Sequence, residues 1–257
     1  MKITILTLFP EFFSAITENT IIKRAISKEK VVLNIVNIRE YTKDKHRRVD
    51  SAPIGGGAGL IMKCQPIVDA LNLNCSTNAH KILLSPRGKT FNQKIAHELI
   101  DSNEHLIFIC GHYEGIDERV NKYVDDHLSI GDYILTGGEL ASMVISDALV
   151  RLIEGAINNE SIVEESFENG LLEYPQYTFP RVYENDEVPA ILFSGNHEAV
   201  RKWRLKESLR LTINNRKDLL ENRKYTKEEL TLLQEIENNI EEPKWLTSAL
   251  EKAKKFM

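Results

Sequence analysis

Ser129-Ile130-Gly131-Asp132-Tyr133-Ile134-Leu135-Thr136-Gly137-Gly138-Glu139 is the stretch on which the fold of this chain turns. It follows a short apolar strand end at Leu128–Ile130 and leads into a long, mostly apolar helix expected from Gly138 to Ala156. Upstream, the apolar run His105–Cys110 opens directly onto Gly111-His112-Tyr113-Glu114-Gly115-Ile116-Asp117-Glu118-Arg119. Each block therefore follows a strand that reads as buried, and each is dense in glycine and carboxylate. Glycine lets a backbone approach a ligand with no Cβ in the way. Carboxylates suit a cationic or hydroxyl-bearing group. Two such loops predict one site built from strand ends, and Gly55-Gly56-Gly57-Ala58-Gly59 adds a third glycine cluster.

The flanking sequence alternates strand-like and helix-like segments. Ile3–Leu8 is apolar and β-branched, a first strand. Pro10 sits where a helix starts, with Phe12, Phe13, Ile16 and Ile22 as its apolar stripe. Val31–Ile38, Lys81–Leu84 and His105–Cys110 read as further strands; Gln65–Leu73, Asn92–Ile100 and the short Ile116–Lys122 read as helices. Arg39 to Gly59 is a polar loop too long for a mere connection. The pattern predicts an α/β fold with a largely parallel sheet, and such sheets bind ligands beyond the carboxyl ends of their strands. Composition shifts to Asn, Glu and Ser at Asn158–Glu168, which reads as a linker. A turn region follows at Gly170–Pro180, then a helical C-terminal part. Thr226-Lys227-Glu228-Glu229 is a capping box that opens a helix with Leu230, Leu233 and Ile236 inward. Pro243 breaks it, and Thr247–Phe256 is a last helix. The organisation expected is thus 1–157, a linker over 158–168, and 169–257.

The chain has 257 residues, 42% of them apolar, which is ample for a packed core. It is mildly acidic, with 33 Lys and Arg against 38 Asp and Glu, yet its charge is uneven. Asn196 to Lys227 holds ten Lys and Arg against four acids, an excess of +6, so the remainder stands at −11. Lys43, Lys45, Arg47 and Arg48 form a second basic cluster around His46. Such patches can bind phosphate backbones on an acidic protein, because fields decay within about 10 Å at moderate salt. Cys64, Cys75 and Cys110 form no CxxC pair, so neither disulfides nor zinc are expected. No apolar run reaches the roughly 20 residues of a membrane span, and no cleavable leader is visible, so no membrane partner is expected and the location expected is cytoplasmic.

Each motif also has a plainer reading. There is no GxGxxG and no GxxxxGK[ST], so dinucleotide and Walker-type phosphate binding are unsupported. Glu114 suits an amine or a ribose hydroxyl, or is a solvated acid at a helix entry beside Asp117 and Glu118. Ser85-Pro86-Arg87-Gly88 alone reads as an ordinary turn. Arg151 lies four residues after Asp147, the spacing of a helical ion pair. Glu164 and Glu165 read as solvated charge. Trp203, between Arg201, Lys202 and Arg204, is either a stacking platform for nucleic acid or part of a helix core stripe with Val200 and Leu211.

Together these blocks closely resemble the bacterial tRNA (guanine-N1)-methyltransferases that modify position 37 beside the anticodon. The resemblance runs from Met1 to about Leu220. It is carried by Phe9-Pro10, Val49-Asp50 through Gly59, Ser85-Pro86, Gly111–Arg119, Ser129–Glu139, Gly170–Pro180, Leu192–His197 and Trp203-Arg204. It implies a trefoil-knotted α/β domain of the SPOUT class, an exception to unknotted topology, followed by a smaller helical domain that grips tRNA. It also implies a homodimer and S-adenosylmethionine as methyl donor; a need for Mg²⁺ cannot be read from the sequence, and no protein metal site is expected.

Carried over by position, Leu84, Ser85, Pro86 and Gly88 line the donor pocket, with Gly111, Tyr113, Glu114, Ser129, Ile130, Gly131, Tyr133, Leu135, Gly137 and Gly138. Arg151 corresponds to the arginine at the reacting guanine. The family's catalytic Asp stands directly before Ser-Phe; here Glu165 precedes Ser166-Phe167, with Glu164 beside it. Two further departures are Ala141, where proline is frequent, and Phe179, where Tyr-Thr-Arg-Pro is usual. Two other readings remain: a methyltransferase of the same class with another target base, and a non-catalytic RNA-binding protein. The intact glycine loops favour donor binding over its loss.

Overall fold

A computed structural model describes residues 1–156 and 164–254. The chain divides into two compact units, Met1–Asn159 and Glu160–Met257. The first part of the linker expected over 158–168, and the end of the helix expected to reach Phe256, lie outside the described residues.

The first unit is built on β1 (Lys2–Thr7), β2 (Val32–Asn37), β5 (His80–Thr90), β6 (His105–Cys110) and β7 (Asp126–Ser129). They form one sheet in the order β2-β1-β6-β5-β7, with every pair parallel. A small antiparallel pair, β3 (Asp50–Ser51) and β4 (Ile61–Met62), closes the long polar loop, and Met62 is buried in the core and bridges to Ile116. Neighbouring residues along a strand point to opposite faces, so each central strand feeds two cores. Ile3, Ile5, Leu106 and Phe108 face one side. That side is covered by α1 (Ser14–Asn19), α2 (Ile21–Ser27), α4 (Gln93–Ser102) and α5 (Glu139–Leu152). Leu6, Ile107 and Ile109 face the other, against α3 (Cys64–Asn74) and the short turns around Ile38 and Val120. β6 is buried along its whole length, which is why its sequence is continuously apolar and not alternating.

Local chemistry accounts for several departures from the periodicity reading. Pro10 opens a 3-10 turn, not an α-helix, and the helical path breaks at Thr20, whose side chain caps α2 through Ile22 N–H. The break shifts the apolar stripe: Phe13 and Ile22 are buried, while Phe12 is exposed. Ser85–Gly88 is not a turn between elements. Leu128 pairs with both Leu84 and Lys89, so these four residues bulge out of β5 and the strand resumes after them. A proline inside an internal strand is tolerated at such a bulge.

In the second unit, α6 (His197–Asn215) packs against α7 (Lys227–Glu237) and α8 (Lys244–Lys254). Both halves of the capping box form at Thr226 and Glu229. Burial raises the Glu229 carboxyl, but the Thr226 N–H and the Arg223 guanidinium outweigh it and leave it below the ordinary carboxylate range. Leu233 and Ile236 pack inward as expected, beside the fully buried Leu232, whereas Leu230 is exposed. α7 ends at Glu237, before Pro243, and Pro243 instead stands just ahead of α8.

Candidate functional site

The carboxyl ends of β5, β6 and β7 surround a cavity of about 430 Å³. Leu84, Ser85 and Pro86 reach it from the β5 bulge. Gly111, Tyr113 and Glu114 reach it from the loop after β6. Ser129, Ile130, Gly131, Tyr133, Leu135, Gly137 and Gly138 reach it from the loop after β7. Two glycine blocks separated in sequence thus form one wall system. They are pinned by a hydrogen bond from Gly138 N–H to Gly111 O at 2.8 Å and by an antiparallel bridge between His112 and Gly137. The third glycine loop adjoins them, because Glu114 N–H donates to Leu60 O at 3.0 Å.

Gly88 does not line the cavity. A Cβ there would lie 2.4 Å from Leu128 N and 2.5 Å from the His127 carbonyl carbon, so its place is where β5 closes back on β7. Gly138 serves a similar close approach at the end of β6, where a Cβ would meet Cys110 Cα at 2.8 Å. Tyr113 takes a left-handed backbone, φ 58°, which is unusual for a non-glycine residue and turns the loop at the cavity wall.

Several lining residues carry no sequence signal of their own. Arg87 and Glu118 pair at 2.9 Å along one side, and Glu118 also accepts from Asn121 at 2.7 Å. Asn121 in turn meets His127 Nε2 at 3.0 Å, joining the turn after Asp117 to β7. The Arg119 guanidinium beside Asp117 holds that carboxyl below its usual range. Glu139, quoted above only as the end of its block, is buried at the first turn of α5, where a carboxylate complements the helix dipole. It accepts from Thr7 Oγ1 at 2.8 Å and lies 3.9 Å from His112 Nδ1. Burial, then Glu139, push the Cys110 thiol up, so it is not a nucleophile near neutral pH.

Arg151 is half-buried on the last turn of α5, in the first unit, and Glu165 is half-buried in the second. Glu164 is differently placed: its carboxylate accepts from Tyr174 Oη at 2.5 Å and from Arg204 at 3.3 Å. Burial, then the Glu164 hydrogen bond, push the Tyr174 phenol up to about 12.

The C-terminal basic stretch is largely matched by carboxylates. Arg201 pairs with Glu198 and Glu228, Arg204 with Glu164, Arg210 with Glu207, Arg216 with Asp218 and Arg223 with Glu229. Lys206 is buried, donating to Glu235 at 2.9 Å and to Ile240 O at 2.8 Å. Glu164, Glu228, Glu229 and Glu235 lie outside the stretch whose charge was counted, so its excess of +6 is partly offset in space. Trp203 is buried, in a core with Ile191, Ala199 and Ala249. Among the described residues no group of three or more His, Cys, Asp or Glu converges to hold a metal, and no helix is long and apolar enough to cross a membrane.

A parallel α/β sheet with a glycine-walled cavity at its strand ends defines a ligand-binding α/β protein, and comparison with known proteins narrows this to the methyltransferases. Residues 1–222 match the family model described as tRNA (Guanine-1)-methyltransferase TrmD. A Carboxydothermus hydrogenoformans protein named tRNA (guanine-N(1)-)-methyltransferase is 54% identical over 235 residues, 91% of this chain and 92% of its own. Proteins of the same name from Clostridium botulinum (strain Hall) and Dictyoglomus turgidum are each 51% identical. Those matches cover 93% and 94% of this chain, and 100% and 99% of theirs. The chain belongs to the tRNA (guanine-1)-methyltransferase family.

Proposed function

We propose that the protein transfers a methyl group from S-adenosylmethionine to N1 of guanosine 37 in tRNA, as a cytoplasmic homodimer with a trefoil-knotted catalytic domain over 1–157. Residues 158–168 would link it to a tRNA-gripping domain over 169–257. The observation that carries the reading is the cavity walled by both glycine blocks in a member of this enzyme family. The donor fits it: Gly111, Gly131, Gly137 and Gly138 put no side chain on its wall, and Glu114 offers a carboxylate for an amine. When bound, the donor supplies an already activated methyl group.

The chain's own residues must handle the proton. Guanine N1 is protonated and a poor nucleophile until that proton leaves. Glu165 is assigned as the base that accepts it, a contribution of about 10²–10⁴ in rate. Negative charge then gathers on O6, and Arg151 is assigned to stabilise it as an oxyanion hole does. The target base must leave its stack to be reached. Glu165 in place of the family's Asp adds one methylene, about 1.5 Å of reach, which the backbone around Ser166 must absorb.

The knot is supported by chain path: β7 lies beyond β5, and the loop after β7 returns to the end of β6. The dimer is supported by exposed apolar residues one turn apart on α5, Leu140 and Val144, with Tyr133 and Ile134 nearby in sequence. Arg151 and Glu165 fall in different units, which suits a site shared between subunits. Arg151→Ala and Glu165→Gln homodimers are each expected to be nearly inactive, and mixing them should restore part of the activity through hybrid dimers. A wholly inactive mixture, with subunit exchange demonstrated, would count against a shared site.

Affinity for tRNA is expected to fall as salt rises. Because most C-terminal guanidinium groups carry carboxylate partners, Lys45 and Arg47 are expected to contribute more of the slope than Arg201. Binding of tRNA that is indifferent to salt would refute both statements. The reaction itself is tested by methyl transfer to unmodified transcripts bearing guanosine or adenosine at position 37: transfer to guanosine alone is expected, and equal transfer to both would overturn the assignment.

A further inference from the structure

The third glycine cluster, Gly55–Gly59, contributes no residue to the wall of the strand-end cavity, yet it touches one of that wall's side chains. A Cβ at Gly59 would lie 2.6 Å from Glu114 Oε1 and 2.9 Å from its Cδ, and closer still to Cγ. The Glu114 side chain therefore fills the space in which a side chain at position 59 would stand. The other glycines of the cluster make no such approach. A Cβ at Gly55 or Gly56 would meet nothing within 4 Å, and one at Gly57 only Pro53, at 3.4 Å. All four glycines take a left-handed backbone, with φ of 92°, 87°, 128° and 78° along the loop. Backbone conformation thus favours glycine at each of them, but only at Gly59 does a cavity residue require it too.

Glu114 has little else to direct it. Among the described residues no hydrogen bond or ion pair engages its carboxylate, and the side chain is exposed. A glutamate without a partner samples many rotamers, so what it packs against decides where its charge points. The backbones on either side of the contact are fixed. Glu114 N–H donates to Leu60 O at 3.0 Å, Met62 N–H to Gly115 O at 2.9 Å and Asp117 N–H to Met62 O at 3.0 Å. Met62 is fully buried and Ile116 packs on the same core. A side chain added at position 59 would therefore be relieved by turning Glu114, the softer partner, into another rotamer.

We propose that Gly59 is a positioning residue for the methyl donor: its bare Cα leaves room for the Glu114 carboxylate to meet the donor's ammonium group, and so selects a nucleoside that carries an amino-acid end. The proposal rests on the strand-end cavity being the donor site. A charge-assisted hydrogen bond between ammonium and carboxylate is strong but short, so a turned carboxylate loses it. Isothermal titration of the full chain uses two nucleosides, S-adenosylhomocysteine, which keeps the amine, and 5′-methylthioadenosine, which lacks the amino-acid end. Gly59→Ala is expected to weaken the first about tenfold and to leave the second unchanged, which also shows the pocket intact. Gly56→Ala imposes the same left-handed strain without the contact and should change neither affinity. In a Glu114→Ala background Gly59→Ala should have no further effect, because the atoms it displaces are gone. Equal losses for both nucleosides in Gly59→Ala, a matching loss in Gly56→Ala, or additive losses in the double variant would each overturn the proposal. So would wild-type affinity for S-adenosylhomocysteine in Gly59→Ala. A wild type that binds S-adenosylhomocysteine but is indifferent to Glu114→Ala overturns the amine contact and this proposal, and leaves the donor site standing. A wild type that binds neither nucleoside overturns the donor site itself.

Discussion

Gly138→Val is expected to abolish S-adenosylmethionine binding while leaving far-UV dichroism close to wild type. The added Cβ would stand 2.8 Å from Cys110 Cα and 3.2 Å from Gly111 N. Both are backbone at the end of a fully buried strand, so neither can swing aside. The loop after β7 must lift instead, breaking the bond from Gly138 N–H to Gly111 O that joins the two glycine blocks. Displacements of about 1 Å cost on the order of a hundredfold in a positioned site, and a loss of donor affinity of at least that order is expected by isothermal titration. Gly111→Ala is expected to weaken donor binding without lifting the loop. Its Cβ would meet only the Ile116 side chain, at 3.4 Å, an ordinary contact, so the protein itself would accommodate it. Wild-type donor affinity in Gly138→Val would show that the cavity at the strand ends is not the donor site.

Glu165→Gln is expected to slow single-turnover methyl transfer by about 10²–10⁴. Affinities for tRNA and donor should change little, the mark of an interaction made only in the transition state. Glu164→Gln should affect the rate much less. Its carboxylate is engaged by Tyr174 Oη and Arg204, so the change disturbs a local network in the second unit and should appear in thermal stability. If Glu164→Gln is the slow variant, the base lies one residue earlier than assigned. If neither variant is slow, the proton leaves by another group and the role given to this segment is wrong.

Much of the first unit was legible because its signals are local. The apolar runs at Ile3–Leu8 and His105–Cys110 are strands, since residues buried on both faces of a parallel sheet must be continuously apolar. The glycine blocks lie at strand ends, where a parallel sheet opens to ligands. The reading of Ser85–Gly88 went astray because a proline and a glycine so close together signal a turn equally well inside or outside a strand. Only the pairing of Leu128 with both Leu84 and Lys89 makes it a bulge. Leu230 was misjudged for a related reason. The spacing of Leu230, Leu233 and Ile236 suits a helix face, and Leu233 and Ile236 do pack inward, yet the core takes Leu232 in place of Leu230, because the packing of α6 on α7 sets the centre of the inward face.

By itself the sequence determined the α/β class, the glycine loops of the cavity and the capping box at Thr226. Each is set by residues within a few positions of one another, where propensity, periodicity and hydrogen-bond reach act directly. The tertiary structure alone decided which distant groups meet. Gly88 is required by the backbone of β7, some forty residues later in the chain. Lys206, one of ten basic residues in a stretch that reads as a phosphate-binding face, is buried against Glu235 and Ile240. Arg201, Arg204 and Arg223 likewise find carboxylates at Glu228, Glu164 and Glu229. Net charge counted along a chain cannot anticipate this, because Coulomb attraction depends on separation in space and not on separation in sequence.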